Sequence, residues 1–460
     1  GAARLSTMTP EIQIVAAELP PFWDRSVLFF CNLRSIFYEN DAESAELVRR
    51  ITGALSYGGR VVSILNLLFH RGPNKILLEA PPEANLLDYL SGDLGLSLPA
   101  FEVLDPRRYQ DLAAKAAETN SACDPALADL KNHPAEWIDG YVTDALLVDV
   151  ARSIVKRTVS SLAGSKNGNN KYLLHLHLVE CGLPVFDTCM AANRAEVPAC
   201  LERLRALGYK KAVIKAQIGA SGYGMIKVRI AGFKPTDAPE YLFFEGPCMV
   251  QGWIDEDTPN MERIGSPSVQ MFLNDQSVFL FDWTEQILSD DSIHEGNQSP
   301  PPYAADHPGL QEEMFRQAGI AGAWLHKQGY RGTASTDFLI VRRGGRTEAI
   351  VCEINARVTG ATYPAVLARR FLPGGAWYMR NIQFRKALDG AQLLGLMDHA
   401  GELYRPGREK GIIPFNFNID EDGKVTKGQF LCVGKNHGEC GGLLARAWSE
   451  LPVEWGYDRD

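Results

Sequence analysis

The segments TDFLIV (residues 336–341) and AIVCEIN (residues 349–355) each place one acid inside an apolar run, Asp337 in the first and Glu353 in the second. The turn sequence RGGR (residues 343–346) lies between them, which predicts two antiparallel strands joined as a hairpin. A carboxylate within an apolar strand is costly unless a cation or a hydrogen-bonding partner compensates its charge. We therefore expect the two acids to meet on one side of the hairpin.

A magnesium ion is the natural occupant of such a pair, because Mg²⁺ binds one or two carboxylates together with phosphate oxygens. Asn355 lies two residues beyond Glu353, so it shares the same face of the strand and adds an oxygen ligand. Arg357 lies two residues further and could stabilise an oxyanion that develops during a reaction. The alternative is a structural salt bridge between Arg357 and either acid, and the spacing leaves both interpretations open.

A glycine-rich loop, GASGYG (residues 219–224), lies between the strand-like segments KAVIK (residues 211–215) and MIKVRI (residues 225–230). Small residues let backbone N–H groups approach a phosphate, and Lys215 at the strand end could contact its oxygens. The loop lacks the G-K-[ST] ending of a P-loop and leads into a strand instead of a helix. A flexible hairpin with a solvated surface lysine is the alternative interpretation.

The first 160 residues alternate short apolar strands with helices, which predicts a small α/β domain. Strands are predicted at 26–30, 60–64 and 75–80, and helices at 42–50 and 110–118. The polar, glycine-rich segment 160–170 predicts a flexible link. The rest of the chain predicts helices at 171–181, 196–207 and 310–328, a strand at 247–254, and a β-rich tail from about residue 411.

These motifs together resemble those of the ATP-grasp ligases. The segment Lys211–Gly224 is similar to the strand and mobile loop that close over the phosphates of ATP in that family. The segments around Asp337 and Glu353 are similar to its paired magnesium motifs, and Lys171 matches its first ATP lysine. The strand Val250–Ile254 is similar to the hinge strand whose backbone contacts adenine.

The resemblance covers about residues 165–395 and implies a set of site residues. The implied ATP-binding residues are Lys171, Lys215, Gly219, Ser221, Gly222, Gly224, Gln251, Gly252, Trp253 and Ile254. The implied magnesium ligands are Asp337, Glu353 and Asn355, with Mn²⁺ able to substitute. Arg357 matches the position that contacts the acyl phosphate, so it is the implied catalytic residue.

The family also implies an α/β architecture in four parts. These are an N-terminal pre-ATP-grasp domain (1–160), a small subdomain with the glycine-rich loop (171–250), a large subdomain with the magnesium site (251–395) and a small β-rich C-terminal extension (396–460). This order resembles the pheganomycin-type peptide ligases of natural-product pathways.

The implied activity is ATP-dependent carboxylate–amine ligation. An amide or peptide bond would form through an acyl phosphate, with release of ADP and phosphate. One alternative is a ligase that joins a small acid to a free amino acid or another small amine. The other is a non-catalytic ATP-binding protein, which would have no need of both magnesium carboxylates.

The composition restricts the partners. The formal net charge of −9 disfavours binding to nucleic acid or to a membrane surface. No apolar run reaches the roughly 18 residues of a membrane span, and the start shows no signal-peptide pattern. The nine cysteines include no C-x-x-C pair, which is typical of reduced thiols. We therefore expect a cytoplasmic protein, with small-molecule or peptide carboxylates and amines as substrates; the resemblance also allows a homodimer.

Overall fold

The computed structural model describes residues 9–32, 58–118, 125–219, 224–288 and 294–458, and its elements build an N-terminal sheet, a small sheet and a large sheet. The strands are, in chain order, β1 (Glu11–Ile14), β2 (Val27–Phe30), β3 (Lys75–Leu78), β4 (Ala100–Val103), β5 (Trp137–Gly140), β6 (Arg157–Thr158), β7 (Thr188–Ala191), β8 (Lys211–Lys215), β9 (Met225–Arg229), β10 (Cys248–Gly252), β11 (Met261–Gly265), β12 (Pro267–Leu273), β13 (Ser277–Leu288), β14 (His294–Ser299), β15 (Gly332–Arg343), β16 (Arg346–Asn355), β17 (Ala376–Leu388), β18 (Gly411–Ile419), β19 (Val425–Gly434) and β20 (Tyr457–Asp458). The α-helices are α1 (Gly59–Val62), α2 (Leu65–Leu68), α3 (Ala84–Asp88), α4 (Pro106–Ala117), α5 (Pro125–Asn132), α6 (Ala145–Ser153), α7 (Leu162–Gly168), α8 (Lys171–Glu180), α9 (Val197–Ala206), α10 (Leu310–Lys327), α11 (Thr362–Phe371), α12 (Gly390–His399), α13 (His437–Gly441) and α14 (Leu443–Trp448).

The N-terminal sheet has the strand order β4-β3-β2-β5-β6, and its neighbouring strands run parallel. Every residue of β2 is buried, as expected for a parallel strand covered on both faces. The helix α4 begins at Asp105, whose side chain accepts a hydrogen bond from the Arg108 N–H. The strands predicted at 26–30 and 75–80 and the helix predicted at 110–118 are thereby confirmed.

The strand predicted at 60–64 is wrong, because α1 and the turn that leads into α2 occupy this segment. Val61, Val62 and Ile64 are all buried. A short uninterrupted apolar run has neither the helical nor the strand period, so the pattern cannot distinguish a buried helical turn from a buried strand. The helix predicted at 42–50 lies outside the described residues.

The flexible link predicted at 160–170 is wrong, because the helix α7 fills most of this segment. A Cβ atom on Gly164 would lie 2.4 Å from the backbone of Gly329, just after α10. A Cβ atom on Gly168 would come equally close to the side chain of Leu325 in α10. The two glycines therefore allow two helices to touch, and the composition alone suggested flexibility instead.

The small sheet has the order β7-β10-β8-β9 and is antiparallel. The helix α9 packs on it through buried residues such as Leu201 and Leu204. Both α8 and α9 are followed by a glycine in the left-handed region, Gly182 with φ of 69° and Gly208 with φ of 99°. The helices predicted at 171–181 and 196–207 and the strands around the glycine-rich loop are confirmed.

The large sheet follows the order β11-β15-β12-β13-β14-β17-β19-β18, with β16 paired to β15. The predicted hairpin is confirmed as β15 and β16, and both strands are longer than predicted. One face of the sheet is covered by α10, whose buried stripe confirms the predicted amphipathic helix. That stripe is Leu310, Met314, Ala318, Ala321 and Leu325.

The tail after residue 411 is β-rich at its start, as predicted, and its strands extend the large sheet. β19 pairs with β17 and β18 pairs with β19, and the helices α13 and α14 follow. The predicted boundary of a separate extension at residue 396 stays a prediction. Among the residues that the structure describes, no helix combines the length and apolar character needed to cross a membrane.

Candidate active site

Asp337 and Glu353 lie opposite each other on β15 and β16 because of a β-bulge. The two strands pair in uniform register from the turn to the pair Phe338–Val351, and the ladder then shifts so that Asp337 pairs with Glu353. Cys352 is the extra residue of this bulge. Without it, Asp337 would oppose Cys352, and Glu353 would point to the other face of the sheet.

Both carboxylate oxygens of Asp337 accept hydrogen bonds. Oδ1 accepts from the hydroxyl groups of Ser268 at 2.7 Å and Ser335 at 3.0 Å. Oδ2 accepts from the Asn355 amide at 2.7 Å. Burial raises the pKa of Asp337 to about 6, and the neighbouring charge of Glu353 adds to this shift. Asp337 is therefore positioned by neutral donors, and no described cation forms an ion pair with it.

Glu353 has a cationic partner. Its Oε2 lies 3.2 Å from the ammonium nitrogen of Lys171, and this ammonium also donates to the carbonyl oxygen of Gly219 at 2.8 Å. Burial alone would raise the pKa of Glu353, but the positive charges of Lys171 and Lys215 outweigh it and lower the pKa. Lys171 thus connects the hairpin to the first residue of the glycine-rich loop.

Arg357 lies beside the two acids without pairing to either. Its guanidinium donates to Asn355 Oδ1 at 3.2 Å and to the Val358 carbonyl at 3.1 Å. No ion pair joins it to Asp337 or Glu353 within the described residues, so the alternative of a structural salt bridge is not what the fold forms. The arginine is instead available next to the carboxylates.

Lys215 ends β8 and lies near enough to Glu353 and Lys171 to feel their charges. Burial lowers the pKa of its ammonium group, and the positive charges of Lys171 and Arg263 lower it further. The nearest aromatic contact is the ring of Phe186, whose centroid lies 5.6 Å from the ammonium nitrogen. Lys215 is partly buried, which disagrees with the alternative of a solvated surface lysine, and in the described part of the chain it has no ion-pair partner.

The glycine-rich loop is described only at its two ends. Gly224 has a φ of 78°, a conformation that favours glycine, and its carbonyl accepts from the Ala216 N–H at 2.7 Å. Gly219 contacts Lys171, as described above. Ser221 and Gly222 lie outside the described residues, so their predicted phosphate contacts stay predictions.

The strand β10 holds the predicted hinge residues in fixed positions. The Gln251 amide donates to the hydroxyl group of Thr188 at 3.1 Å, and the Gly252 N–H donates to the carbonyl of Asp187 at 3.1 Å. A Cβ atom on Gly252 would lie 2.4 Å from the ring of Tyr209, so only glycine fits there. Because the Gly252 N–H already donates to Asp187, it is not available to a bound adenine base.

Trp253 and Ile254 point in different directions. Ile254 is buried in the hydrophobic core beneath the small sheet. Two cations contact the Trp253 ring, with the Lys227 ammonium 4.5 Å and the Arg263 guanidinium 4.7 Å from its ring centroid. Trp253 therefore lies where β9 of the small sheet approaches β11 of the large sheet.

The donor set fits Mg²⁺ bound together with a nucleotide. Asp337, Glu353 and Asn355 offer two carboxylates and an amide oxygen, and Mg²⁺ selects oxygen ligands. Within the described ranges, no group of three or more His, Cys, Asp or Glu side chains could hold a metal ion. A magnesium ion here would therefore complete its shell with phosphate oxygens and water, which is its usual mode at phosphate-transfer sites.

Two positions that hold the predicted site residues in place were missed by the sequence reasoning. Asn169, in the segment interpreted as a link, accepts from the Ala356 N–H at 2.9 Å and so fixes the backbone just before Arg357. Ser268 holds Asp337; it alternates with Gln270 in an otherwise apolar strand, and this polar alternation was the available signal.

Comparison with known proteins adds one sequence relative. No protein-family model matches the chain. The chain is 25% identical over 322 residues to the butirosin acyl-carrier protein–L-glutamate ligase of Niallia circulans. The match covers 66% of this chain and 66% of the relative, just under two thirds of its length.

Solved structures match over nearly the whole chain. The biotin carboxylase–β,γ-ATP complex from Campylobacter jejuni has a TM-score of 0.56 at 12% identity and covers 94% of this chain and 92% of that one. The ADP complex of N5-carboxyaminoimidazole synthetase from Staphylococcus aureus has a TM-score of 0.54 at 12% identity, with coverage of 94% and 100%. At such identities the likeness concerns the fold.

Proposed function

We propose that this chain, whose fold is the ATP-grasp fold of these enzymes, is an ATP-dependent carboxylate–amine ligase. It would form an amide or peptide bond through an acyl phosphate and release ADP and phosphate. The observation that supports this most is the bulged pairing of Asp337 with Glu353, surrounded by Lys171, Lys215 and Arg357.

ATP would bind between the small sheet and the large sheet. Lys171 and Lys215 supply positive charge to the phosphates, and an ammonium group forms strong charge-assisted hydrogen bonds with phosphate oxygens. The loop at residues 219–224 would cover the phosphates, with Gly219, Ser221, Gly222 and Gly224 as its contacts. The adenine base would lie along residues 251–254. The contacts of Lys171 support this assignment, since its ammonium group contacts both Glu353 in the hairpin and Gly219 in the loop.

Asp337, Glu353 and Asn355 would hold Mg²⁺, and Mn²⁺ could substitute. The metal would neutralise charge on the phosphates during transfer. The neutral donors around Asp337 orient its two oxygens in advance, because each oxygen already has a hydrogen-bond partner. A ligand held in one geometry before binding loses less entropy on binding.

In the proposed reaction a carboxylate oxygen of the acid attacks the γ-phosphorus of ATP, and the bond to the β-phosphate oxygen breaks to release ADP. The amine nitrogen then attacks the acyl carbon, the C–O bond to phosphate breaks, and the amine loses a proton. Negative charge grows on the carbonyl oxygen in this second step. Arg357 can donate a hydrogen bond to that oxygen, since its guanidinium has five N–H groups and two described acceptors.

The substrates are proposed from the sequence relative. The Niallia circulans protein is named for butirosin acyl-carrier protein and L-glutamate. We infer a role in natural-product assembly, with an amino-acid or peptide carboxylate and an amine as substrates. A carrier protein as the acceptor is the second candidate, and the name of this relative is the observation that favours it.

The test combines a substrate screen with an isotope experiment. Amino acids, short peptides and carrier proteins are supplied in pairs with MgATP, and ADP release is measured. The active acid is then prepared with ¹⁸O in its carboxylate. One ¹⁸O atom should appear in the released phosphate, since an acyl phosphate passes one carboxylate oxygen to phosphorus. Label in AMP would mean adenylation and would exclude this mechanism.

A further inference from the structure

Asp139 is an acid of the N-terminal sheet to which the proposed reaction assigns no role. It is the third residue of β5 and is partly exposed. Within the described residues its carboxylate forms no ion pair and no hydrogen bond with another side chain. Burial by the surrounding protein raises the pKa of this carboxyl group from 3.8 to about 7, against the effect of the Gly140 N–H. A charged carboxylate in such surroundings is costly until a cation joins it.

Asp139 lies where an open parallel sheet normally holds its ligand. In the strand order β4-β3-β2-β5-β6, the chain runs outward from β2 through β3 and β4 on one side, and β5 and β6 lie on the other. Ligands of such sheets bind at the carboxyl ends of the strands beside this switch point. Asp139 is the last residue but one of β5, and Phe29 of β2 is its neighbour in the ladder.

The packing of the neighbouring side chains shows which face of the sheet carries Asp139. Phe29, its ladder neighbour, and Tyr141, two residues beyond it, pack in one hydrophobic cluster with Val358. Ile138 packs in a separate cluster on the other face. Because alternate residues of a strand share a face, Asp139 lies on the face that meets Val358.

Backbone contacts connect this face to the proposed catalytic arginine. The Val358 N–H donates to the Tyr141 carbonyl at 3.3 Å, and the Arg357 guanidinium donates to the Val358 carbonyl at 3.1 Å. Two residues of a strand span about 7 Å, so Asp139 lies within that distance of the Tyr141 contact. Burial raises the pKa of the nearby Tyr330 hydroxyl, and the charge of Asp139 raises it further while that of Arg357 lowers it. Asp139 and Arg357 therefore border one junction between the N-terminal sheet and the large sheet.

We propose that Asp139 binds the ammonium group of the amine substrate and accepts a proton from it. This inference rests on the proposed function, which supplies the amine. A carboxylate is the complement of an ammonium group, with which it forms charge-assisted hydrogen bonds. A carboxyl group that titrates near neutral pH is also an efficient general base there.

The proton transfer precedes the attack on the acyl phosphate. One N–H bond of the ammonium group breaks, its proton moves to a carboxylate oxygen of Asp139, and the nitrogen keeps the electron pair that attacks the acyl carbon. The C–O bond to phosphate then breaks, and the departing phosphate takes the second proton from the nitrogen. Asp139 thus acts on the amine, whereas Arg357 acts on the carbonyl oxygen.

The experiment compares Asp139→Asn with Asp24→Asn as a matched control. Asp24 lies just before β2, at the amino edge of the same sheet, and forms an exposed ion pair with Arg71. Each protein receives MgATP, the acid identified by the substrate screen, and either the amine from that screen or hydroxylamine. Hydroxylamine is uncharged at neutral pH, so it attacks the acyl phosphate without first losing a proton to a base.

Asp139→Asn should form the hydroxamate within about two-fold of the wild-type rate, and the amide roughly a hundred- to ten-thousand-fold more slowly. Asp24→Asn should form both products as the wild type does. Normal hydroxamate formation also shows that the Asp139→Asn protein is folded and makes the acyl phosphate.

The pH dependence separates this role from a structural one. The free amine becomes more abundant as the pH rises, so the ratio of the wild-type to the Asp139→Asn rate of amide formation should fall between about pH 7 and pH 9. Tyr330 and Arg357, which border the same junction, are present in both proteins, so their effects cancel in this ratio.

The inference is wrong if Asp139→Asn forms the amide normally, if it loses hydroxamate and amide equally, or if the ratio stays constant with pH. A wild type that releases no ADP with any acid and amine would instead refute the proposed function, and the inference with it.

Discussion

Replacing Lys171 with methionine should separate two functions of this side chain. Methionine keeps much of the apolar stem and removes the ammonium group, which lies 3.2 Å from Glu353 Oε2 and 2.8 Å from the Gly219 carbonyl. The change therefore leaves one carboxylate without its cation. It also disconnects the hairpin from the glycine-rich loop.

The size of the effect follows from burial. The Lys171 side chain is 8% exposed and the Glu353 side chain is 27% exposed, so the pair is only partly screened by water. Breaking a fully buried pair typically costs about 3–5 kcal/mol and an exposed pair less than about 1 kcal/mol. We expect Lys171→Met to lower the free energy of unfolding by about 1.5–3 kcal/mol. Adding Glu353→Gln should recover at least about 1 kcal/mol, because the uncompensated charge is then gone.

Urea denaturation of the nucleotide-free protein, followed by tryptophan fluorescence, measures both values. The four proteins of the cycle are the wild type, Lys171→Met, Glu353→Gln and the double variant. Strictly additive losses would show that the ion pair contributes nothing and would refute this reasoning. ADP release should fall in all three variants, so the recovery must appear in stability and not in activity.

Three further outcomes are expected. Burial raises the pKa of Glu79 from 4.5 to about 8. Folding therefore favours its protonated form, and stability is lost as the pH rises from 4.5 through 8. Glu79→Gln should remove this part of the fall in melting temperature between about pH 5 and pH 8. An unchanged pH profile would contradict this. Gly164→Ala should lower the free energy of unfolding, measured in urea, by about 1–3 kcal/mol. The control Gly395→Ala lies in a helix with open space around it and should be neutral or stabilising. Equal effects of the two substitutions would count against the close contact between α7 and α10. Arg357→Gln should still form the acyl phosphate, which hydroxylamine traps, while the rate of amide formation falls roughly a hundred- to a thousand-fold. If the trapped product is lost as well, Arg357 acts in the first step.

The sequence predicted the hairpin because its apolar runs and turn are local signals. It did not predict the β-bulge on which the meeting of the two acids depends. Counting back from the turn places Asp337 opposite Cys352, and only the shift of the ladder after Phe338 brings Glu353 across from it. A bulge depends on how both faces of the strand pack against the rest of the protein. The alternation of apolar and polar residues along the strand does not contain that information.

The two wrong predictions, the link at 160–170 and the strand at 60–64, concern segments whose local sequence fits more than one structure. Glycine supports both flexibility and close backbone contact, and which one applies depends on residues distant in sequence, such as Gly329 against Gly164. The apolar run at 60–64 likewise lacked a period to analyse. Lys215 and the two acids were found because charged groups at the end of an apolar strand or inside one are unusual in any fold. Lys171, the first residue of α8, was implied only by the family resemblance.

The helix α7 determines where related chains could be recombined. Asn169, at the end of α7, holds the N–H of Ala356, which is fully buried and directly precedes Arg357. A chimera joined at the start of α8 would take α7 and Asn169 from another parent, and the Ala356 N–H would lose its acceptor unless that parent supplied one. An unpaired buried N–H costs about 1–3 kcal/mol. Exchange of N-terminal segments should therefore succeed when the junction precedes Leu162, so that α7 and the hairpin are inherited together.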